Sequence, residues 1–195
     1  MKSIQAIALA LVFIMAFSCK QAKKETEEAT EEVEETVDQM AETTEPESIT
    51  FSMEPKSDSN VNGEVVFTQD NGNVVMKATF TGLDEGEHAI HLHEKADCSS
   101  ADGKSTGGHW NPTFEKHGKW GAEDGYHKGD IGNFTADADG NATVDFSTDE
   151  WCIGCDDEKK NILGKAVIVH QGVDDYTSQP SGAAGARIAC TGIIQ

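Results

Sequence analysis

Residues 86–93 read Gly-Glu-His-Ala-Ile-His-Leu-His. On a β-strand, side chains alternate between faces, so His91 and His93 point one way and His88 the other. Two imidazoles on one face of a rigid strand form half of a site for a transition metal that favours nitrogen. A lone His-x-His is a weak signal, and the other histidines are what give it weight. His109, His117 and His127 follow in a Gly-rich stretch, and His170 ends the apolar run of residues 166–170.

The elements that would carry these side chains are short strands. Between residues 49 and 147 the apolar pattern has period two over 49–53, 63–68, 74–80, 87–93, 130–135 and 142–146, and two further runs, 166–170 and 186–193, close the chain. Asp70-Asn71-Gly72-Asn73 and Asp139-Gly140-Asn141 have the residue types of tight hairpin turns. Eight short strands with turn-rich links and no helical period predict an all-β, antiparallel sandwich or barrel. Two connections, 94–129 and 171–185, are long for such a fold, and loops of that length in a compact domain are usually functional or disordered. The first holds three histidines and the second follows a fourth. Bound metal can order what the sequence leaves loose.

The N-terminal residues have a different composition. Residues 1–18 carry a single Lys2, an apolar run over 4–17, and then Ser18 before Cys19. The run is short for a membrane span and reads as an export signal. Its end resembles a bacterial lipoprotein signal, which implies cleavage before Cys19 and lipid on that residue. Phe17 is bulkier than the usual neighbour in that motif, and a plain secretory signal is the alternative. Residues 20–47 hold eleven acidic residues, three lysines and no aromatics. So little can be buried there that 19–47 is expected to be a solvated tether, roughly 30 Å in root-mean-square span and longer under self-repulsion. The domain expected over 48–195 has 24 of the 35 acidic and 11 of the 15 basic residues, a formal charge of −13. That excess argues against nucleic acid and anionic lipid surfaces as partners. Monomer and homodimer both remain open.

Taken together, His88-Ala-Ile-His91-Leu-His93-Glu, Gly108-His109-Trp-Asn-Pro112, Lys116-His117-Gly118, His127-Lys-Gly-Asp130-Ile-Gly-Asn133, Val169-His170 and Gly185-Ala-Arg187-Ile-Ala-Cys190 resemble the copper-zinc superoxide dismutases, from about residue 63 to 194. The resemblance implies a Greek-key β-barrel, copper on His91, His93, His109 and His170, and zinc on His109, His117, His127 and Asp130. His109 would bridge the two metals. Mostly imidazole donors suit both ions, and Asp130 adds the hard oxygen that zinc accepts. Asp174 matches a carboxylate that ties His91 to His117 and fixes their tautomers. Arg187 matches the active-site arginine that holds the anion, and Cys98 and Cys190 match the family disulfide. The implied reaction converts superoxide to oxygen and hydrogen peroxide by alternate reduction and oxidation of copper, with His109 carrying a proton. His88 is read as structural.

Two features depart from the better-known eukaryotic pattern. The loop after His170 has no basic residue, so Lys104, Lys119 and Lys128 are the candidates for guiding an anion toward the site. Trp151-Cys152-Ile-Gly-Cys155 is not usual in the family. With Cys19 set apart, four cysteines allow three connectivities. A local Cys152–Cys155 disulfide is the preferred reading of this motif, ahead of a soft-metal entry site for copper. Beside the enzyme stand a copper-holding or copper-delivering lipoprotein of the same fold, a structural surface antigen and a Cys-x-x-Cys oxidoreductase. Neither storage nor scaffolding needs a zinc set together with an anion-binding arginine.

Overall fold

In the computed structural model, which describes residues 47–195, eight strands lie in chain order: β1 (Glu47–Pro55), β2 (Asn62–Asp70), β3 (Asn73–Thr81), β4 (Gly86–His93), β5 (Gly132–Ala136), β6 (Ala142–Thr148), β7 (Ala166–His170) and β8 (Arg187–Gly192). The expected signal over 1–18, Cys19 and the tether as far as residue 46 lie outside the described residues.

All neighbours pair antiparallel, in the order β5-β4-β7-β8-β1-β2-β3-β6. The two ends of that order, β5 and β6, also contact each other, so the sheet curls into a nearly closed Greek-key barrel. β3 shows why the chain folds this way. Val74, Met76, Ala78 and Phe80 point inward and are fully buried, and the residues between them face solvent. The β2–β3 hairpin closes through Asn71 and Gly72, both at positive φ (48° and 79°), which suits the right-handed twist of the flanking strands.

β4 and β7 are buried on both faces. Ile90, Leu92, Val167 and Val169 belong to the barrel core. On the other face, Ala166, Ile168 and Cys190 form a separate small cluster with Cys98, which anchors the loop after β4 onto the outside of the barrel. His91 and His93 share that covered outer face. The long loops are therefore walls laid over a strand surface that would otherwise meet water.

Most strand boundaries differ from the sequence expectation by one or two residues, and two of these differences have an identifiable cause. The strand expected over 130–135 begins at Gly132, because the Asp130 carboxylate accepts from His127 N (2.8 Å) and Gly118 N (3.2 Å) and Asp130 N donates to His127 O. Those local bonds compete with the ladder and hold Asp130 in a turn. At the other end, Glu47, expected in the tether, opens β1 opposite Gln69 and accepts a hydrogen bond from Gln195. Its backbone partner outweighs its charge.

Candidate metal centre

β4 places His91 and His93 on one face, and His88 lies on the core face as its parity requires. His88 bonds through its two ring nitrogens to the carbonyls of His170 (3.0 Å) and Asp84 (2.9 Å), so it is a structural tie between β4 and the end of β7. His170 arrives at a register shift where β7 leaves β8. His109 comes from the loop after β4, paired by a single bridge to His93. The donor atoms of His91, His93, His109 and His170 lie within 4.8 Å of one another, and so do those of His109, His117, His127 and Asp130. His109 belongs to both groups. All seven predicted side chains are thus brought together, and all are buried.

The ring nitrogens show which atoms are free. His91 Nε2 donates to Asp174 Oδ2 (2.9 Å), and its Nδ1 has no partner. His93 Nδ1 is held by Gly107 O (3.0 Å), which leaves Nε2 facing His170 Nε2 at 3.4 Å. His109 Nδ1 meets Asp130 Oδ1 at 2.8 Å, and its Nε2, on the copper-set side, is unpartnered. His117 Nδ1 and His127 Nδ1 lie 3.0 and 3.2 Å from the Asp130 oxygens without making a hydrogen bond to any protein group. Buried polar atoms are nearly always satisfied, so inward-facing nitrogens without protein partners at two converging points mark metal positions. The donor sets fit copper (four imidazoles) and zinc (three imidazoles and one carboxylate).

Electrostatics divides the two groups. Burial, followed by the charges of neighbouring histidines, holds His93 and His170 well below the ordinary histidine value. Burial likewise lowers His109 to about 4, with Asp130 opposing it. These rings are neutral at pH 7, with lone pairs available. Burial would also lower His117, but the Asp130 and Asp174 carboxylates on its two nitrogens reverse the sign and raise it to about 9. Burial by itself would raise both carboxyls. The rings of His109, His117 and His127 facing it hold Asp130 well below the carboxylate range, and hydrogen bonds from His117 and His91 do the same for Asp174. Two fixed negative charges therefore stand beside the zinc set, ready for a divalent cation.

Asp174 joins the groups as expected, accepting from His91 on one oxygen and from His117 (2.8 Å) on the other. Asn133 holds it there: its amide donates to Asp174 O (2.9 Å) and accepts from Asp174 N (2.8 Å). That role was not legible in the sequence, where Asn133 is only the first polar residue of a strand. Thr106 was missed too. It lies in a 3₁₀ turn, η1 (Lys104–Thr106), and its hydroxyl accepts from Arg187 (3.0 Å), whose same nitrogen donates to Gly103 O (2.9 Å). The guanidinium is thereby held on the wall of a cavity of about 780 Å³ that His93, His109 and His170 also line.

Over residues 61–194 the sequence matches the family model described as copper/zinc superoxide dismutase (SODC). The chain belongs to the copper-zinc superoxide dismutases. Cu-Zn superoxide dismutase 2 of Aquifex aeolicus is 37% identical over 160 residues, covering 76% of this chain and 91% of that protein. The Caulobacter vibrioides Cu-Zn superoxide dismutase is 36% identical over 137 residues, covering 68% and 78%. Among solved structures, a SOD-like protein from Bacillus subtilis superposes with a TM-score of 0.66 at 29% identity, covering 74% of this chain and 97% of that one. The clock protein EA4 gives 0.65 at 32% identity, covering 77% and 97%. The protein is accordingly a superoxide dismutase, an oxidoreductase with copper and zinc as cofactors and superoxide as substrate.

Around the enzyme's cavity the rim carries Glu94, Asp102 and Glu115 against Lys104 and Arg187. Of the three lysines considered for guiding the anion, Lys104 is on this rim, Lys128 is paired with Glu150, and Lys119 does not line the cavity. Disulfides join Cys98 to Cys190 and Cys152 to Cys155. The first pins the loop carrying η1 to β8 beside Arg187. The second closes a surface loop whose Trp151 is buried and donates from Nε1 to Lys128 O (2.8 Å), next to His127.

Proposed function

We propose that this enzyme is exported, anchored by lipid on Cys19, and disposes of superoxide outside the cytoplasm. Copper would be held by His91, His93, His109 and His170, and zinc by His109, His117, His127 and Asp130. The observation that carries the catalytic part of this reading is the guanidinium of Arg187 on the same cavity wall as three copper-set histidines. A cation held by a carbonyl and a hydroxyl, neither of which neutralises it, is free to bind a small anion through charge-assisted hydrogen bonds.

The net reaction takes two superoxide anions and two protons to oxygen and hydrogen peroxide. Copper, when bound, would supply the one-electron exchange that this disproportionation needs. Arg187 holds each anion in turn beside the copper set. His109 keeps Nδ1 on the zinc side, against Asp130, and its Nε2, whenever it is not a ligand, can carry a proton for delivery to the reduced product. Asp174 accepts from Nε2 of both His91 and His117, which fixes the ring orientations so that their Nδ1 atoms face the metal positions.

The test is superoxide dismutation by residues 47–195 loaded with one copper and one zinc, beside an Arg187→Ala variant. Fast turnover that falls in the variant with both metals retained is the expected result. Stoichiometric metal binding without turnover would replace this reading with a copper-holding protein. For the location, Cys19→Ala should move the full-length protein from the membrane to the soluble exported fraction and abolish lipid labelling. Membrane association that persists in the variant would exclude the lipid anchor.

A further inference from the structure

Gln179 lies at the surface, outside both ligand sets, yet its amide is paired with the backbone of His117. His117 N donates to Gln179 Oε1 (3.0 Å), and Gln179 Nε2 donates to His117 O (2.9 Å). One side chain thus satisfies both polar groups of one residue, as a neighbouring β-strand would. The His117 ring is meanwhile held at Nε2 by Asp174, and its Nδ1 faces Asp130 at 3.0 Å. Two of the elements that fix His117, Asp174 and Gln179, come from the connection between β7 and β8.

That connection is stiff around Gln179. The Asp175 carboxylate accepts from Thr177 N (2.8 Å), Ser178 N (2.8 Å) and Ser178 Oγ (2.5 Å). Gly182 N donates to Ser178 O (2.7 Å), and Asp175 N to Gly182 O (3.0 Å). Residues 174–182 form one braced unit, and three of its members, Gln179, Pro180 and Ser181, line the cavity shared by the copper-set histidines and Arg187.

We infer that Gln179 is a positioning residue that clamps the zinc ligand His117 and, through the same braced unit, couples retention of zinc to the placement of the channel wall. A side chain that spans two loops holds each one by means of the other. With zinc on His117 the clamp has a fixed partner, and the wall at 179–181 is set. With the clamp cut, His117 must be ordered by the metal alone. This inference rests on the assignment of His117 to zinc.

The test uses the copper-zinc-loaded full-length protein and the variants Gln179→Met, which keeps the volume and loses both bonds, and Gln179→Glu, which keeps the acceptor and loses the donor. Transfer of zinc to a chromogenic chelator should be about tenfold to thirtyfold faster in Gln179→Met, the effect of two neutral hydrogen bonds. Gln179→Glu should fall between that variant and the unmodified protein. With cobalt(II) in the zinc site, the visible band should shift in Gln179→Met, a change that loss of global stability would not produce. Zinc release at the unmodified rate in Gln179→Met, with Asp130→Ala releasing zinc readily, would overturn the clamp and leave the zinc site standing. If Asp130→Ala also left zinc release unchanged, the zinc assignment itself would fall.

Discussion

Replacing Gly182 with alanine probes how tightly the Asp174 bridge is enclosed. Gly182 sits at φ +66°, and a Cβ built on it would overlap the Asp174 carboxylate, 2.6 Å from its Cγ and 2.7 Å from His117 Nε2. None of these atoms can yield freely. Asp174 is fixed by Asn133 through its backbone and by Tyr176 N on the oxygen it shares with His117. Two contributions follow for the folded state. The left-handed backbone costs an alanine about 1–2 kcal/mol. Pushing the carboxylate off His117 removes a hydrogen bond between charged groups, about 1.5–3 kcal/mol. Together these come to about 2.5–5 kcal/mol, and for zinc affinity, where groups supporting a ligand matter most, about 10–100-fold. Both are measurable in the loaded protein, the first by denaturant unfolding and the second by zinc transfer to a competing chelator. A Gly182→Ala protein that released zinc within twofold of the normal rate, with less than about 1 kcal/mol lost, would refute the reasoning. It would mean that the 174–182 unit gives way without disturbing the bridge.

Three further outcomes are expected. Thr106→Val should lower kcat/KM about tenfold with both metals retained, because one of the two bonds that orient Arg187 is lost; an unchanged value would show that Gly103 O suffices. Asp102 pairs with Lys104 at 2.9 Å on the cavity rim, both side chains well exposed, so Asp102→Asn should raise kcat/KM about twofold and Lys104→Gln should lower it about as much. The two variants should converge with the unmodified enzyme at high salt in stopped-flow measurements, since screening removes the difference. In the metal-free protein, urea unfolding should show greatest stability near pH 6.5. Above that value the contribution of His117, whose folded pKa is raised to about 9, is lost progressively up to that pH. Below it, His93, His109 and His170 stay neutral in the fold and accept protons once unfolded, so stability falls with pH. Under pH 4 the depressed carboxyls Asp130 and Asp174 extend the loss. A stability that rose steadily from pH 6.5 to 9 would contradict the assignment of charge to His117.

The sequence alone determined the barrel and the make-up of the two donor clusters because both are encoded locally. Period-two runs mark strands wherever one face is buried, as Val74 to Phe80 do, and Asn71-Gly72 can take the paired positive φ of a tight hairpin with little strain. Histidine types, their order, and the motifs around them carried the rest. Local encoding also explains the error at Asp130, where alternation continues through a residue whose carboxylate prefers the backbone of a turn. The tertiary structure alone decided the supports. Asn133 and Asp174 are 41 residues apart, Gln179 and His117 are 62 apart, and Arg187 and Thr106 are 81 apart, and each pair meets only when a loop folds back over the outer face of β4 and β7. No spacing rule reaches across such separations, because the side chains are amides, hydroxyls and carbonyl partners found on any protein surface. Which of them supports a candidate metal ligand is fixed by three-dimensional proximity in the closed barrel, whose loop after β4 is pinned to β8 by Cys98 and Cys190.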